Sequence, residues 1–482
     1  MRVSCTCWIG LIWLAGTHCA AAAIETTDCR LSSRWLTTVA AECGTLIVAE
    51  DPANPDGRQI ELFIARIPAL SATPRPDPLL LISGGPGQAT TDLYLTLRGA
   101  FGRIRREREI ILVDQRGTGR STRLSCPTAS AEDLETAALE ELSVLVADCV
   151  AALDGDPRYY TTSVAVGDLD QVRRELALPE WNIYGISYGT RVAQHYLRRY
   201  PQHTRAVILD GVVPAELALG PAIATNAQTA LENILSRCAD EALCAEQFPA
   251  LGQQLATIST RLAEDPLPVP MPDPLTGTAG TRTLSTRHLQ AVIRLMSYSS
   301  PTVALLPLLL SEAHAGNYAP LTAQAYMMIG EIEQSISFPM HNSVVCTEDV
   351  PFYTDSTSPD LTGTYLGSTI IDALVTVCAE WPSGVVDDDM KLALVSERPA
   401  LLLSGEIDPI TPPAYGAQVR ENLSNARHLV GPGQGHGQAP VGCVPNLMHR
   451  FLEDLDPAGL DASCLEREQP MPFFLDFTGP AP

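Results

Sequence analysis

The chain reads as an α/β protein, a mostly parallel central sheet flanked by helices, with a helical block inserted into it. Three observations predict this class. Short apolar, β-branched runs bounded by turn residues recur along the chain, and helical patterns alternate with them in the first half. From about Pro214 to about Pro339 helical patterns instead follow one another without strands, and strand patterns resume only near Ala400.

Length and composition suit that class. The 482 residues accommodate one large domain with an insertion, and 45% hydrophobic against 18% charged residues is globular rather than disordered. Lysine and arginine number 32 against 56 aspartates and glutamates, a formal net charge of −24. Such a surface repels phosphate backbones, so nucleic acid is not an expected partner.

At the N-terminus, Arg2, an apolar run over 7–16 and the small residues Ala20 to Ala23 have the order of a secretory signal. Residues 1–23 are therefore expected to be removed, with cleavage near Ala23. The run is shorter than the roughly 20 apolar residues a membrane span needs, so no stable span is expected afterwards. An N-terminal anchor is the alternative; lipid attachment at Cys19 is another, although His18 is not the small residue such processing normally wants. The destination is secreted or periplasmic.

Strands are expected at 45–48, 59–65, 79–82, 110–113, 181–186, 206–209 and 400–403. The first two alternate in polarity and are expected to form an antiparallel edge. Helices are expected at 163–176 and 188–200. The α/β core thus falls in two parts, 24–213 and 340–482, around a helical cap at 214–339. Within the cap, the proline-rich stretch from Asp265 to Pro274 reads as a loop. The apolar stretch 305–310, broken by Pro307, reads as a core helix or cleft wall.

Of 13 cysteines, Cys5, Cys7 and Cys19 fall in the signal, leaving an even ten that suits an oxidised, exported chain. They cluster as sequence neighbours, which predicts Cys29 with Cys43, Cys126 with Cys149, Cys238 with Cys244, Cys346 with Cys378, and Cys443 with Cys464. No CxxC or HExxH spacing occurs, so neither a metal nor a cofactor is expected.

Four segments carry chemistry. Gly185-Ile186-Ser187-Tyr188-Gly189 lies between an expected strand and an expected helix, and a serine on so tight a turn needs glycines on both sides to avoid clashes. Ser83-Gly84-Gly85-Pro86-Gly87-Gln88 follows the strand at 79–82. There a backbone N–H of Gly85, with Gly84 in reserve, can join that of Tyr188 in holding an oxyanion. Gly405-Glu406-Ile407-Asp408-Pro409 and Gly435-His436-Gly437 supply an acid and a base. Among the nine histidines only His436 lies in a glycine-flanked loop beyond an acid at a strand end. The order Ser187, Asp408, His436 is that of a hydrolase triad, with Glu406 the rival acid. Asp114-Gln115-Arg116-Gly117-Thr118-Gly119-Arg120-Ser121 lacks the Gly-Lys-Ser/Thr ending of a phosphate cradle, so nucleotide binding is not expected.

Together the Gly84–Gly87, Asp114–Ser121 and Gly185–Thr190 motifs resemble the proline iminopeptidase and tripeptidyl aminopeptidase family of α/β-hydrolases, from about residue 75 to 215 and again near 400–440. Ser-Tyr-Gly-Thr at the turn, the secretory start and Cys346-Thr347-Glu348-Asp349 are more similar to the tripeptidyl branch. Ser83 stands where many relatives have histidine, and the cap matches no pattern residue by residue. The resemblance implies an α/β-hydrolase fold and peptide substrates with a free N-terminus. It also implies an acyl-enzyme mechanism in which Ser187 attacks, His436 shuttles the proton and Asp408 orients His436. A substrate ammonium needs a carboxylate, for which Glu348 and Asp349 are the candidates. A carboxylesterase and a catalytically silent binding protein are the alternatives; oligomeric state is left open.

Overall fold

The computed structural model describes residues 24–32, 37–126, 138–272, 276–354 and 359–480, so the expected signal at 1–23 lies outside them. The strands are β1 Thr27–Ser32, β2 Thr38–Ala49, β3 Gln59–Ile67, β4 Leu79–Ile82, β5 Ile110–Val113, β6 Trp181–Ile186, β7 Thr204–Asp210, β8 Leu267–Pro272, β9 Ala279–Leu284, β10 Ala400–Gly405 and β11 Ala426–Gly431. Nine of them form one sheet in the order β1-β2-β3-β5-β4-β6-β7-β10-β11. The β1–β2, β2–β3 and β3–β5 pairs are antiparallel, and every pair from β5 onward is parallel.

The sheet is buried on both faces, which explains the unbroken apolar runs of its centre. In β4, Leu79 and Leu81 enter one core and Leu80 and Ile82 the other; β5 divides in the same way. Helices Thr90–Leu97 and Val444–Asp454 cover the first face, while Thr162–Glu175 and Tyr188–Arg199 cover the second.

Between β7 and β10 the described chain is helical except for one hairpin, and the helices have a core of their own. That core includes Leu231, Leu289, Leu309 and Ala325 and reaches Ile407, next to Asp408.

One expectation is corrected and another is met. Within the proline-rich stretch Leu267–Pro272 is a strand, β8, paired antiparallel with β9, and positions 273–274 lie outside the described residues. Pro268, Pro270 and Pro272 alternate with buried Val269 and Met271, so the missing N–H groups all point to the unpaired edge. The apolar stretch at 305–310 is a core helix, one of its two expected readings, and it continues through the proline. Helix Ser300–His314 runs through Pro307, where packing of Leu306, Leu308, Leu309 and Leu310 outweighs the lost backbone bond. Strands β1 and β11 lie at the two edges, each with polar side chains that mask an apolar signal. All five neighbouring cysteine pairs are joined by disulfides. No described helix is long and apolar enough to cross a membrane.

Candidate active site

Ser187 sits between β6 and helix Tyr188–Arg199 with φ 56° and ψ −126°, a backbone conformation that costs a non-glycine residue about 1–3 kcal/mol. The flanking glycines make the turn possible. A Cβ on Gly185 would lie 2.4 Å from the Gly189 carbonyl oxygen, and one on Gly189 would lie 2.4 Å from that of Ile82. The Ser187 N–H donates to the Asp210 carbonyl at 2.8 Å, which ties the turn to the end of β7.

The loop after β4 comes directly against this serine. A Cβ on Gly84 would stand 2.9 Å from Ser187 Cβ. Gly85 is exposed at φ 104° and precedes a cis bond to Pro86. Ser83 closes the loop by donating its hydroxyl to the Gln88 carbonyl at 2.5 Å. Tyr188 opens its helix, so its N–H belongs to the first turn, which has no acceptor within the helix.

Asp408 and His436 meet across the ends of β10 and β11. His436 Nδ1 lies 2.8 Å from Asp408 Oδ2. The carboxylate is itself fixed, since the N–H groups of Ile410 and Thr411 donate to Oδ1 at 2.9 Å each and the Thr411 hydroxyl donates to Oδ2 at 2.7 Å. Glu406 is turned away and accepts from the Gly433 N–H. Burial alone pushes the His436 pKa down, but the charge and hydrogen bond of Asp408, with Asp210 beyond it, outweigh burial and raise it. The turn at 436–437 packs against the residue before the serine, because a Cβ on Gly437 would approach Ile186 Cδ1 to 3.0 Å.

Two supporting residues escaped the sequence reading. Thr411 has just been described. Asp210, fully buried, accepts from the Tyr184 hydroxyl at 2.8 Å and from the N–H groups of Gln438 at 2.7 Å and Ala439 at 2.8 Å. It therefore clamps the histidine loop to the strand end that holds Ser187. The signal was thin: an Asp-Gly pair closing an apolar strand, and a threonine three residues after an acid.

Glu348 and Asp349 require a correction. Both side chains are fully buried, so neither is open to a substrate ammonium. Glu348 accepts from the Thr162 N–H at 2.7 Å and hydroxyl at 2.8 Å; Asp349 takes two bonds from Arg191, at 2.8 and 3.1 Å. Arg191 belongs to the first turns of the helix that begins at Tyr188, and its buried guanidinium needs this counter-charge. Burial pushes the Glu348 carboxyl up, whereas Arg191 and Lys391 overcome the same effect at Asp349 and hold it low. Among the described residues one cluster has metal-ligand proximity, His195 with Asp387 and Asp389, and Arg199 forms an ion pair with each of the two acids.

Comparison with known proteins matches the alpha/beta hydrolase fold over residues 77–239 and a TAP-like protein segment over 363–464. The chain is similar to the serine protease Hip1 of Mycobacterium tuberculosis, 29% identical over 46% of each chain. It is also similar to the tripeptidyl aminopeptidase of Streptomyces coelicolor, 28% identical over 42% of this chain and 40% of that one. A third relative is carboxylesterase B of Mycobacterium tuberculosis, 28% identical over 42% and 43%. The chain spans less than half the length of these curated relatives.

Proposed function

We propose, from the chain's membership of the α/β-hydrolase family with a TAP-like C-terminal part, that it is an exported serine peptidase releasing short N-terminal peptides. The observation that carries this reading is the 2.8 Å contact of His436 Nδ1 with Asp408 beside a serine held at positive φ. With Nδ1 committed to the carboxylate, the opposite ring nitrogen is the one free to take a proton.

Ser187 Oγ attacks the scissile carbonyl while His436 accepts its proton and then delivers it to the leaving amine. Asp408 fixes the tautomer and stabilises the imidazolium that forms. The N–H groups of Gly85 and Tyr188 hold the oxyanion, and losing one such donor typically costs about 10²–10³ in turnover. Water then repeats the sequence on the acyl-enzyme. The helices at 214–339 act as a cap over the cleft, and the five disulfides suit an oxidising compartment. The relative named tripeptidyl aminopeptidase favours removal of three residues at a time.

The experiment compares tripeptidyl, dipeptidyl and aminoacyl chromogenic substrates, each with a free and an acetylated amine, alongside fluorophosphonate labelling. Turnover of free-amine tripeptides, lost together with the label in Ser187→Ala, is expected. Hydrolysis confined to short acyl esters overturns the peptidase reading in favour of an esterase.

A further inference from the structure

The helix that ends on Glu348 begins against the loop after β4. Helix Phe338–Glu348 follows helix Ala319–Ser335, and the two pack into different cores. Leu321 and Ala325 belong to the core of the inserted helices, whereas Met340 and Val344 belong to that of the second sheet face. The junction between the two helices, residues 336–337, is bonded to the loop that flanks Ser187. Ile336 forms an isolated antiparallel bridge with Gln88, and the Ser337 N–H donates to the Gly87 carbonyl at 2.9 Å. This seam has no slack, since a Cβ on Gly87 would stand 2.6 Å from the Ser337 carbonyl oxygen.

One turn further on, the half-buried His341 places its Nδ1 3.3 Å from the Pro86 carbonyl. A carbonyl oxygen only accepts, so Nδ1 carries the hydrogen in this contact, in the neutral and the protonated ring alike. The His341 backbone N–H donates to the Ser337 carbonyl at 2.9 Å, which fixes the imidazole to the same turn as the seam. Pro86 directly follows Gly85, one of the two N–H groups proposed to hold the oxyanion. At the far end of the helix, Glu348 reaches the other, Tyr188, through the Thr162 hydroxyl. Positions 341 and 348 are two turns apart, so they share one face of the helix and lie about 10 Å from each other along its axis. One helix thus touches the supports of both donors.

We infer that His341 is a positioning residue for the oxyanion hole. It anchors the Gly85-Pro86-Gly87 turn to helix Phe338–Glu348, which thereby sets the placement of the Gly85 N–H relative to that of Tyr188. This rests on the serine-hydrolase reading given above and adds a residue to its machinery. The substrate oxygen gathers negative charge only on the way to the tetrahedral intermediate, so the contribution of His341 belongs to kcat and not to KM.

The test measures kcat and KM separately on tripeptidyl 4-nitroanilides and on 4-nitrophenyl esters, with circular dichroism to confirm the fold. His341→Leu is expected to lower kcat about tenfold, the scale of one hydrogen bond, with KM within about twofold of the parent. His341→Asn keeps an N–H on the nitrogen bonded to Cγ, as Nδ1 is, and is expected to recover kcat to within about threefold. A role in packing alone predicts the reverse order, because leucine fills an apolar contact that asparagine does not. Ser337→Pro strikes the seam without touching the imidazole. Ser337 has φ −81° and follows an extended Ile336, which proline accepts, so the change deletes the N–H to Gly87 along with the hydroxyl that donates to the Leu124 carbonyl. It too is expected to lower kcat and spare KM. An unchanged kcat in His341→Leu, a loss that falls on KM, or asparagine no better than leucine overturns the inference; should His341→Leu not fold, an unchanged kcat in Ser337→Pro does so. Failure of the peptidase reading looks different: esters are hydrolysed and anilides are not, and the same split is then read on the esters. Turnover that survives Ser187→Ala removes the serine mechanism and the inference with it.

Discussion

Tyr188 and Glu348 are joined through a single hydroxyl. Thr162 Oγ1 donates to Glu348 Oε2 at 2.8 Å, so the Tyr188 hydroxyl, 2.7 Å from the same oxygen, must be the donor in its own contact. The residue whose backbone N–H is proposed to hold the oxyanion is thus pinned by its side chain to a buried carboxylate. Thr162→Val removes the middle of this chain and leaves two buried polar groups short of a partner. We expect a loss of about 1–3 kcal/mol in stability and a drop in kcat of roughly tenfold with little change in KM. Denaturant unfolding with steady-state kinetics checks both, and an unaltered kcat would show that the Tyr188 side chain does not position its own N–H.

The pairing of His436 with Asp408 sets a pH signature. Because the carboxylate raises the imidazole pKa, the acid limb of kcat/KM is expected above the ordinary histidine value, since the proposed base role requires a neutral His436. Asp408→Asn removes the charge and leaves burial dominant, so the limb moves to lower pH while activity falls by about 10⁴. The stability effect has the opposite pH sense. A raised histidine pKa stabilises the fold below the unfolded value and is lost as pH rises through the folded one. Thermal unfolding should therefore show a larger cost of Asp408→Asn at pH 5 than at pH 8.

Much of this site was legible because local chemistry forced it. Ser187 was marked by glycines that the turn cannot do without, and Asp408 over Glu406 by the proline that turns the chain after it. Strands β4, β5 and β6 keep their expected bounds because burial on both faces demands unbroken apolar runs. The edge strands β1 and β11 answer to solvent on one side and carry no such run. The acids were misread for a different reason: Asp349 takes its meaning from Arg191, 158 positions away, and nothing local to Cys346-Thr347-Glu348-Asp349 announces a buried cation. Asp210 and Thr411 were likewise silent until the fold delivered their donors.

Asp210 is expected to matter for position rather than for charge. Its two oxygens take donors from Gln438, Ala439 and Tyr184, and an amide nitrogen in place of Oδ2 would face the Ala439 N–H. Asp210→Asn should cost about 1–3 kcal/mol and lower kcat by displacing the loop that carries His436. Fluorophosphonate labelling, slowed in proportion to kcat, distinguishes a misplaced histidine from a global loss of fold, which would appear first in the circular dichroism.

The disulfide between Cys346 and Cys378 ties helix Phe338–Glu348, which ends on Glu348, to helix Thr369–Glu380. It closes a separation of 32 residues, for which restriction of the unfolded chain is worth about 3–4 kcal/mol. Around it pack Leu142, Val146, Val345 and Trp381, so the sulfurs are embedded in a small apolar cluster rather than exposed at a seam. Glu348, however, is held independently by Thr162 and by proximity to Arg191. Replacing both cysteines by serine should therefore separate stability from chemistry. The melting temperature is expected to fall by an amount matching about 2–5 kcal/mol, while kcat measured well below the melt changes less than threefold. A kcat that collapses in this variant with the other four disulfides intact would mean that the Thr162 and Arg191 contacts do not hold Glu348 by themselves, and that the cross-link is what keeps Tyr188 in place.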